Sequence, residues 1–258
     1  MGKLVFITGA SSGIGQALAW RFYQAGYSLA LVARRTEETL AWAQSMNIQS
    51  DRYKIYSADV SVVDSIVAAG QACLAQQGVP DVVIASAGIS VGVDTAERGD
   101  IDVMVKVLAT NTVGTAATFH PFIEPMTRRG SGALVGIGSV AGIRGLPGHG
   151  AYCASKAGVI SYCESLRGEL RSCGVKVVTI CPGYIDTPLT RKNRYSMPFL
   201  MQVDDFAAKT VQAIEAGVTY CVIPWQMGVV AKLMRLLPNW LFDRLLTGRP
   251  RKRRITDT

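Results

Sequence analysis

Short apolar runs alternate with amphipathic stretches along most of this chain. Runs of four or five apolar residues, such as 4–7, 29–33 and 82–85, end at glycine or polar residues, which is typical of strands buried on both faces. The stretches between them repeat apolar residues at the spacing of a helix, as in 14–25. Buried strands that alternate with helices predict an α/β protein with a doubly wound parallel sheet, covered by helices on both faces.

This alternation continues to residue 223 without a linker-like break, so it predicts one domain over residues 1–258. The predicted strands are 4–7, 29–33, 53–56, 82–85, 133–138, 175–180 and 220–223. The predicted helices are 14–25, 36–46, 62–77, 100–128, 152–173 and 203–216. Asn111 falls within the long helix 100–128, and because asparagine is a poor residue inside a helix, it indicates a local distortion.

Two later segments depart from the regular pattern. Residues 184–205 combine polar and basic residues with scattered large apolar ones, which is typical of a lid over a ligand site. Residues 225–258 form an apolar and basic C-terminal segment that Pro238 interrupts. A helix of this composition fits an anionic membrane surface, and it equally fits the surface of a second subunit.

Positive charge is concentrated at the C-terminal end. The 258 residues hold 27 Lys and Arg against 19 Asp and Glu, and residues 228–258 supply +6 of the formal charge of +8. A basic tail favours anionic partners, but a solvated terminus explains it equally well. The basic run lacks a reading motif or stacking aromatics, so we expect no nucleic-acid partner. The apolar content of 49% excludes intrinsic disorder.

The cysteines and histidines do not form a metal or disulfide framework. Six cysteines are scattered without a C-x-x-C pair, and only two histidines occur. The N-terminal apolar run is too short for a signal peptide, and no apolar stretch reaches the roughly 18 residues of a membrane-spanning helix. We therefore expect a cytoplasmic protein with reduced thiols and no metal, and peripheral membrane attachment is an open alternative.

A glycine-rich turn follows the first predicted strand and opens the first predicted helix. It reads Thr8-Gly9-Ala10-Ser11-Ser12-Gly13-Ile14-Gly15. At such a position glycines let the backbone approach a pyrophosphate, and the helix N-terminus offers free N–H groups to it. A plain tight turn is the alternative, but the strand–turn–helix context favours a dinucleotide-binding site.

The end of the second predicted strand indicates which dinucleotide is bound. NAD-binding proteins commonly have an acid there for the ribose 2′-hydroxyl, whereas this chain has Arg34 and Arg35. Two guanidinium groups suit a 2′-phosphate, and no carboxylate is present to repel it. The pair predicts NADP(H) rather than NAD(H). The alternative is that both side chains lie on a solvated turn and bind no cofactor.

A third group of residues fits proton transfer to a carbonyl oxygen. Tyr152 and Lys156 are four residues apart on a predicted helix, so they share one face. An ammonium group beside a phenol lowers the pKa of the phenol toward the range needed for acid–base catalysis. Ser139 lies at the C-terminal end of a predicted strand, where open α/β sheets bind ligands. We expect Ser139 and Tyr152 to hydrogen-bond one carbonyl oxygen together.

Taken together, these features resemble the short-chain dehydrogenase/reductase family. The resemblance covers residues 3–224 in order and spacing. Besides the glycine-rich turn, the residues that carry it are Asp59-Val60, Asn111, Ser139, Tyr152-x-x-x-Lys156 and Pro182-Gly183. It implies a single-domain Rossmann fold with a seven-stranded parallel sheet, and assembly into a homodimer or homotetramer.

The resemblance also implies roles for these residues. Tyr152 is the implied catalytic acid–base, Ser139 orients the substrate carbonyl, and Lys156 binds the nicotinamide ribose and lowers the Tyr152 pKa. Asn111 holds a water in a proton relay to Lys156, Asp59 meets the adenine, and Thr187 meets the carboxamide. The implied cofactor-binding residues are Gly9, Ser11, Ser12, Gly13, Ile14, Gly15, Arg34, Arg35, Asp59, Val60, Ser86, Ala87, Gly88, Tyr152, Lys156, Pro182, Gly183 and Thr187.

One loop departs from the family pattern, because Ala85-Ser86-Ala87-Gly88 replaces Asn-Asn-Ala-Gly after the fourth strand. The expected substrate pocket is mainly apolar, and its walls are residues 89–93, 140–149, 184 and 189–201. Apolar walls favour a hydrophobic ketone, although these side chains can instead pack on the core or a second subunit. Four cations near the mouth are solvated, or they meet an acidic substrate or an acyl-carrier partner: Arg144, Arg191, Lys192 and Arg194.

The sequence thus predicts an NADPH-dependent carbonyl reductase or alcohol dehydrogenase. Its substrate would be a hydrophobic ketone or secondary alcohol, such as a 3-oxoacyl, sphingoid or steroid-like compound. The alternative from another class is a sensor or interaction protein that binds NADP(H) without turnover.

Overall fold

The apolar runs of the sequence form strands, and the amphipathic stretches between them form helices. The computed structural model describes residues 2–193, 195–248 and 251–254. Its strands are β1 (Leu4–Thr8), β2 (Ser28–Ala33), β3 (Tyr53–Ser57), β4 (Val82–Ala85), β5 (Gly132–Ile137), β6 (Val175–Pro182), β7 (Ile185–Asp186), β8 (Met201–Gln202) and β9 (Tyr220–Ile223). Its α-helices are α1 (Gly13–Gln24), α2 (Thr36–Ser45), α3 (Val63–Gln77), α4 (Arg98–Leu108), α5 (Gly114–Arg129), α6 (Gly150–Leu170), α7 (Val203–Glu215), α8 (Trp225–Leu236) and α9 (Asn239–Leu246).

Seven of these strands form one sheet in which all neighbouring pairs are parallel. Their order is β3-β2-β1-β4-β5-β6-β9. The strand order reverses at β1, which lies between β2 and β4, and open α/β sheets bind ligands in the crevice at the carboxyl ends of strands at such a point. The predicted Rossmann-type, doubly wound sheet of seven parallel strands is confirmed.

Successive residues of each strand face two separate cores on opposite sides of the sheet. Val5 and Ile7 of β1 pack with residues of α1 and α7, whereas Leu4 and Phe6 pack with residues of α3, α5 and α6. All four side chains are buried. Because both faces are covered, the strands have no polar alternation, and this is why they were recognisable as continuous apolar runs.

The long helix predicted over 100–128 is divided in the structure. A π-helical turn, Ala109–Val113, separates α4 from α5. Such turns insert an extra residue into a helix and are frequent at functional sites. Asn111 lies within this turn and is fully buried, so the local distortion predicted from this asparagine is confirmed.

Three other boundaries differ from the prediction. β6 continues to Pro182, which pairs with Ile223 of β9, because a proline at the end of a strand removes only one donor from the ladder. Within the segment predicted as a lid, β7 pairs with β8, and residues 203–205 already belong to α7. The C-terminal segment forms α8 and α9. No helix in the described ranges has the length and apolar character to cross a bilayer.

Candidate active site

Two positions in the glycine-rich turn between β1 and α1 have room only for glycine. Gly9 has a φ of +72°, and a Cβ on it would lie 2.9 Å from Ala87 Cα. A Cβ on Gly15 would collide with the carbonyl oxygen of Gly9. The backbone therefore turns sharply into α1, as expected for a phosphate-binding turn. The Ser12 side chain does not cap α1, so the first N–H groups of the helix are available to an anion.

Three further cofactor candidates lie beside this turn at the carboxyl end of the sheet. The position of a Cβ on Gly13 is 3.5 Å from Thr187 Cβ, so Thr187 and the turn form one edge of the crevice. Ile14 faces the other way and packs against the core. Gly183 follows β6, and its N–H donates to Ile223 O (2.8 Å). Pro182, Gly183 and Thr187 are therefore brought to the carboxyl end of the sheet beside the turn.

Arg34 and Arg35 lie at the carboxyl end of β2, on the outer side of the turn. Arg35 Nη2 is 3.4 Å from Ser11 Oγ, and Arg35 Nη1 is 3.1 Å from Glu38 Oε2. Arg34 Nη1 is 3.5 Å from Asp59 Oδ2. Both arginine side chains are more than half exposed, so these contacts are weak and leave the guanidinium groups accessible to an anion.

Asp59 lies opposite Arg34 at the end of β3. Burial raises the pKa of its carboxyl, but hydrogen bonds from Ser61 and the charge of Arg34 outweigh this effect and hold the pKa below its usual value. Ser61 donates both its hydroxyl (2.7 Å) and its N–H (2.9 Å) to Asp59 Oδ1. Val60 is buried in the second core. Asp59 is therefore a fixed, ionised acceptor at the rim of the crevice.

The loop that departs from the family pattern is held by backbone hydrogen bonds. Thr8 Oγ1 accepts the N–H groups of Ser86 (3.1 Å) and Ala87 (3.2 Å). The Ser86 side chain takes no part in these contacts. The loop 86–88 is thereby fixed against the end of β1, although the family's asparagine is absent.

Asn111 ties this loop to α6. Its amide nitrogen donates to Ile89 O (2.9 Å) and Ser155 Oγ (2.9 Å), and its Oδ1 accepts the Ile89 N–H (2.8 Å). Both amide hydrogens are thus used within the protein. A Cβ on Gly88 would lie 3.2 Å from Asn111 Oδ1 and 3.5 Å from Lys156 Nζ. Asn111 and Lys156 therefore lie next to each other beneath the loop.

Ser139, Tyr152 and Lys156 are brought together where β5 ends and α6 begins. Ser139 follows β5, its Oγ accepts the Ala141 N–H (3.1 Å), and its side chain is hydrogen-bonded with Tyr152. Lys156 is buried and its Nζ donates to Ile137 O (2.7 Å), 5.9 Å from the centre of the Tyr152 ring. The serine and tyrosine hydroxyls can therefore meet one carbonyl oxygen, as predicted from their spacing.

The pKa of Tyr152 differs from the expectation. Burial raises it to about 12, although the hydrogen bond with Ser139 acts in the opposite direction. Burial also lowers the pKa of Lys156, to about 8. The lowering of the Tyr152 pKa by Lys156 therefore stays a prediction, and the net shift for this chain by itself is upward. Desolvation of the phenolate is the largest influence, and the Lys156 ammonium group is bound to Ile137 O.

A cavity of about 730 Å³ opens in front of these side chains. Ser139, Tyr152, Gly183 and Tyr184 form its inner end. Its remaining walls come from the expected segments 140–149 and 189–201, together with parts of the C-terminal segment that the sequence did not assign to the site. The latter are Met227, Val230, Met234, Leu246 and Lys252. The cavity is mainly apolar.

Two wall residues form a polar pair that the sequence did not single out. His149 Nε2 is 3.3 Å from the Tyr195 hydroxyl, and His149 Nδ1 is 3.0 Å from Pro147 O. Burial lowers the pKa of His149, and nearby Lys252 acts in the same direction. His149 is therefore neutral near pH 7. No local sequence signal marks this pair, because the two residues are 46 positions apart.

Two of the cations expected at the mouth of the cavity are already bound to other groups of the protein. Arg144 donates to the carbonyl oxygens of Met234 and Leu237 at the end of α8, so it is a structural link and not a solvated charge. Arg191 pairs with Asp186 (2.7 Å). Arg194 lies outside the described residues.

In residues 251–254, the described part of the basic tail, contacts with the rest of the chain contradict the alternative of a solvated terminus. Arg254 Nε donates to Asp100 Oδ2 (2.6 Å), and the Gly92 N–H donates to Arg253 O (2.9 Å). Residues 251–254 thus lie against the loop after β4. Arg249, at the start of the basic run, is outside the described residues.

Comparison with known proteins identifies the family. The model of the short chain dehydrogenase family matches residues 3–197. An uncharacterized oxidoreductase of Myxococcus xanthus is 36% identical over 241 residues, which are 93% of this chain and 95% of the relative. A dehydrogenase/reductase SDR family protein 7-like of Anopheles gambiae is 36% identical over 194 residues, which are 73% of this chain and 61% of that protein. The chain therefore belongs to the short-chain dehydrogenase/reductase family of oxidoreductases.

Solved structures share the fold at lower identity. A short-chain dehydrogenase/reductase from Burkholderia phymatum, in complex with NAD, has a TM-score of 0.81 at 23% identity and covers 96% of both chains. An alcohol dehydrogenase from Thermococcus sibiricus, complexed with 5-hydroxy-NADP, has a TM-score of 0.75 at 24% identity, covering 86% of this chain and 95% of that one. Family membership supports a nicotinamide cofactor, and the glycine cradle at Gly9 and Gly15 fits one. Within the described ranges, no group of three His, Cys, Asp or Glu is placed to hold a metal ion.

Proposed function

We propose that this protein is an NADP(H)-dependent carbonyl reductase, or alcohol dehydrogenase in the reverse direction, acting on a hydrophobic ketone or secondary alcohol. The observation that carries the proposal is that Ser139 and Tyr152 line a mainly apolar cavity, with the Lys156 ammonium group 5.9 Å from the centre of the Tyr152 ring. This part of the cavity adjoins the glycine-rich turn through Gly183 and Thr187.

The chain's own residues supply binding, orientation and a proton. When bound, the nicotinamide cofactor supplies or accepts the hydride. Ser139 Oγ and Tyr152 Oη donate hydrogen bonds to the carbonyl oxygen, which draws electron density away from the carbonyl carbon. Because burial raises the Tyr152 pKa to about 12, the phenol stays protonated near pH 7 and is a proton donor to that oxygen during reduction. In the oxidative direction the steps run in reverse, so Tyr152 must first lose its own proton, and the resulting phenolate accepts the proton of the alcohol.

Lys156 and Asn111 lie beneath loop 86–88 and support the arrangement of Ser139 and Tyr152. Lys156 Nζ lies under loop 86–88, where it can bind a ribose hydroxyl. Asn111 fixes Ile89 and Ser155, and Ser155 Oγ in turn donates to Tyr152 O (2.8 Å). We assign Asn111 as a positioning residue for the loop and for the start of α6, and the water relay implied for it stays a prediction.

The preference for NADP(H) rests on Arg34 and Arg35. Arg35 lies beside Ser11 of the glycine-rich turn, and Arg34 lies beside Asp59. Both guanidinium groups have only weak, exposed partners, so a 2′-phosphate can replace these contacts with stronger charge-assisted ones. Replacing both arginines by serine should weaken NADPH binding by at least tenfold, about 1.4 kcal/mol, and leave NADH binding nearly unchanged. An equal effect on both cofactors in a fluorescence titration would remove this assignment.

The substrate class rests on the cavity. Leu189, Met227, Val230 and Met234 present apolar surface opposite Tyr152, and the volume of about 730 Å³ accommodates a medium-sized hydrophobic molecule. Residues 184–205 contribute one part of the cavity wall, and we keep the assignment of a lid for their non-helical part. A 3-oxoacyl, sphingoid or steroid-like ketone fits these walls equally.

The experiment that tests the function is the replacement Tyr152→Phe. NADPH oxidation is followed with a panel of hydrophobic ketones, and NADPH affinity is measured in parallel. The variant should lose turnover and keep NADPH affinity, because only the proton donor is removed. Tyr195→Phe is the matched control, since it removes a cavity hydroxyl away from Ser139. Unchanged turnover in the Tyr152 variant would refute the mechanism, and tight NADPH binding without turnover in the wild type would favour the sensor alternative.

Self-association is proposed through α4, α5 and α6, as the family resemblance implies. Val105 and Val113 are 60% and 47% exposed on α4 and the π-turn, and apolar side chains in such positions are commonly covered by a second subunit. Light scattering of the wild type and of a Val105→Glu variant tests this. A homodimer or homotetramer that dissociates in the variant is the expected result, and a monomeric wild type would exclude it.

A membrane surface is a second candidate partner. Exposed apolar side chains on α8 and α9 include Trp225, Leu233, Leu236 and Trp240, interleaved with basic residues. Co-sedimentation with anionic vesicles, for the wild type and a Leu236→Ser/Trp240→Ser variant, tests this partner. Equal sedimentation of both proteins would exclude it. The cytoplasmic location stays a prediction.

A further inference from the structure

The C-terminal tail returns to the active-site cavity through a set of specific contacts. Residues 251–254 lie along the loop after β4, with the Gly92 N–H bound to Arg253 O (2.9 Å). A side chain on Gly92 would run into the backbone carbonyl of Lys252. Gly92 is therefore required for the close approach of the two backbones, and the loop is shaped to receive the tail.

A buried ion pair fixes the end of this tail. The Asp100 side chain is 5% exposed, and its Oδ2 accepts Arg254 Nε (2.6 Å) and the Asp94 N–H (2.7 Å). The hydrogen bond from Arg254 lowers the pKa of Asp100, with the Asp94 N–H acting in the same direction. A buried carboxylate without a cation would be strongly destabilised, so Asp100 holds the tail in place. Arg251 adds a longer contact with Asp94 (3.9 Å).

This anchoring places the Lys252 side chain inside the cavity. Its Nζ donates to Ser90 Oγ (2.8 Å) and lies 6.0 Å from the centre of the Tyr152 ring. In the part of the chain that the structure describes, no carboxylate lies within 4 Å of this ammonium group. Burial lowers the pKa of Lys252 to about 8, so most molecules carry the charge at pH 7. Among the described residues, this half-buried cation of the cavity wall thus has no carboxylate partner.

We propose that Lys252 determines substrate specificity by binding a carboxylate carried by the ketone. This inference rests on the proposed reductase function and narrows its substrate class to oxo acids. A substrate carboxylate supplies the missing negative charge and makes charge-assisted hydrogen bonds with the ammonium group. Arg144 and Arg191 cannot take this role, because the carbonyl oxygens at the end of α8 and the Asp186 carboxylate already bind them.

The position of Lys252 also limits the spacing between the two groups of the substrate. Its ammonium group lies beside Tyr152, the proposed proton donor, so the carboxylate and the ketone must be a few bonds apart. Other parts of the cavity wall are formed by Leu189, Val230 and Met234, which suit an alkyl chain. The structure therefore favours a short-spaced oxo acid with an apolar tail.

The test compares 4-oxodecanoate with its methyl ester, which differs mainly in lacking the charge. Binding to the protein saturated with NADP⁺ is measured by calorimetry, where no reduction takes place. The wild type should bind the acid at least tenfold more tightly than the ester. Lys252→Met should abolish this difference without changing the affinity for the ester. Arg253→Met is the matched control, because it removes a neighbouring tail charge that faces away from the cavity, and it should keep the preference.

A second variant changes the position of Lys252 through the loop after β4. Gly92→Ala displaces the tail backbone and should reduce the preference for the acid without altering the lysine. Three results would each overturn the inference. The wild type could bind acid and ester equally, or Lys252→Met could keep the preference for the acid. In the third, the Lys252→Met variant would lose as much affinity for NADP⁺ as for the acid. Turnover with NADPH is measured separately. Selective binding of the acid without NADPH oxidation would refute the reductase function and leave the role of Lys252 intact.

Discussion

Replacing Asn111 tests whether one buried amide fixes the floor of the active site. Asn111→Leu keeps the approximate size of the side chain and removes three hydrogen bonds, two with the Ile89 backbone and one with Ser155. A net hydrogen bond contributes about 1 kcal/mol, and a buried group left without a partner costs about 1–3 kcal/mol. Ile89 is half-buried and water can reach it, whereas Ser155 is fully buried. We expect a loss of about 2–4 kcal/mol in the free energy of unfolding.

The assay is urea unfolding followed by circular dichroism, together with turnover at saturating cofactor. Thr112→Val is the matched control, since it removes a single hydrogen bond to Ser155 O (3.0 Å) on the same helix without touching the loop. This control should lose about 1 kcal/mol or less and keep its activity. If Asn111→Leu is no less stable than Thr112→Val, the loop and α6 do not depend on the amide. If it is destabilised but fully active, its positioning role is refuted.

Three further predictions concern individual side chains. Gly15→Val should abolish NADPH binding, because its side chain collides with the preceding turn, and a fluorescence titration with normal affinity would contradict this. Burial lowers the pKa of Lys156 from 10.5 to about 8. Between these two pH values the unfolded chain binds more protons than the folded chain, so the contribution of Lys156 to stability increases as the pH rises. In urea unfolding, the stability of the wild type relative to Lys156→Met should therefore grow from about pH 8 to about pH 10, and a constant difference would contradict the shift. Cys173 and Cys221 are half-buried, whereas the other four thiols are buried, and burial also raises the pKa of Cys221. Iodoacetamide should therefore modify Cys173 first, as mass spectrometry with a Cys173→Ser control would show.

The fold was predictable from local sequence because each of its strands is buried on both faces. The seven predicted strands correspond to the seven strands of the main sheet, with boundaries that differ by at most a few residues. The glycine-rich turn was equally readable, since the steric demand at Gly9 and Gly15 leaves no other residue type. Asn111 marked a distorted helix because it is out of place in a regular one.

The chemistry at Tyr152 depended on burial, which the sequence does not report. The spacing of Tyr152 and Lys156 predicted that they share a face, and the structure places them together. It did not predict which effect dominates the pKa of the phenol, because that depends on how much protein surrounds both groups and on Lys156 being bound to Ile137 O.

What the sequence by itself determined is the set of strands, the phosphate-binding turn, the family and the residues around the reacting oxygen. These features depend on short spacings, so a local pattern contains them. Only the tertiary structure decided the outer half of the cavity and the place of the basic tail. Lys252 meets Ser90 across 162 positions, and Arg254 meets Asp100 across 154. In the sequence these residues belong to a basic run and to two distant polar positions. Only chain folding brings them into contact, and it places Ser90 and Lys252 on the wall of one cavity.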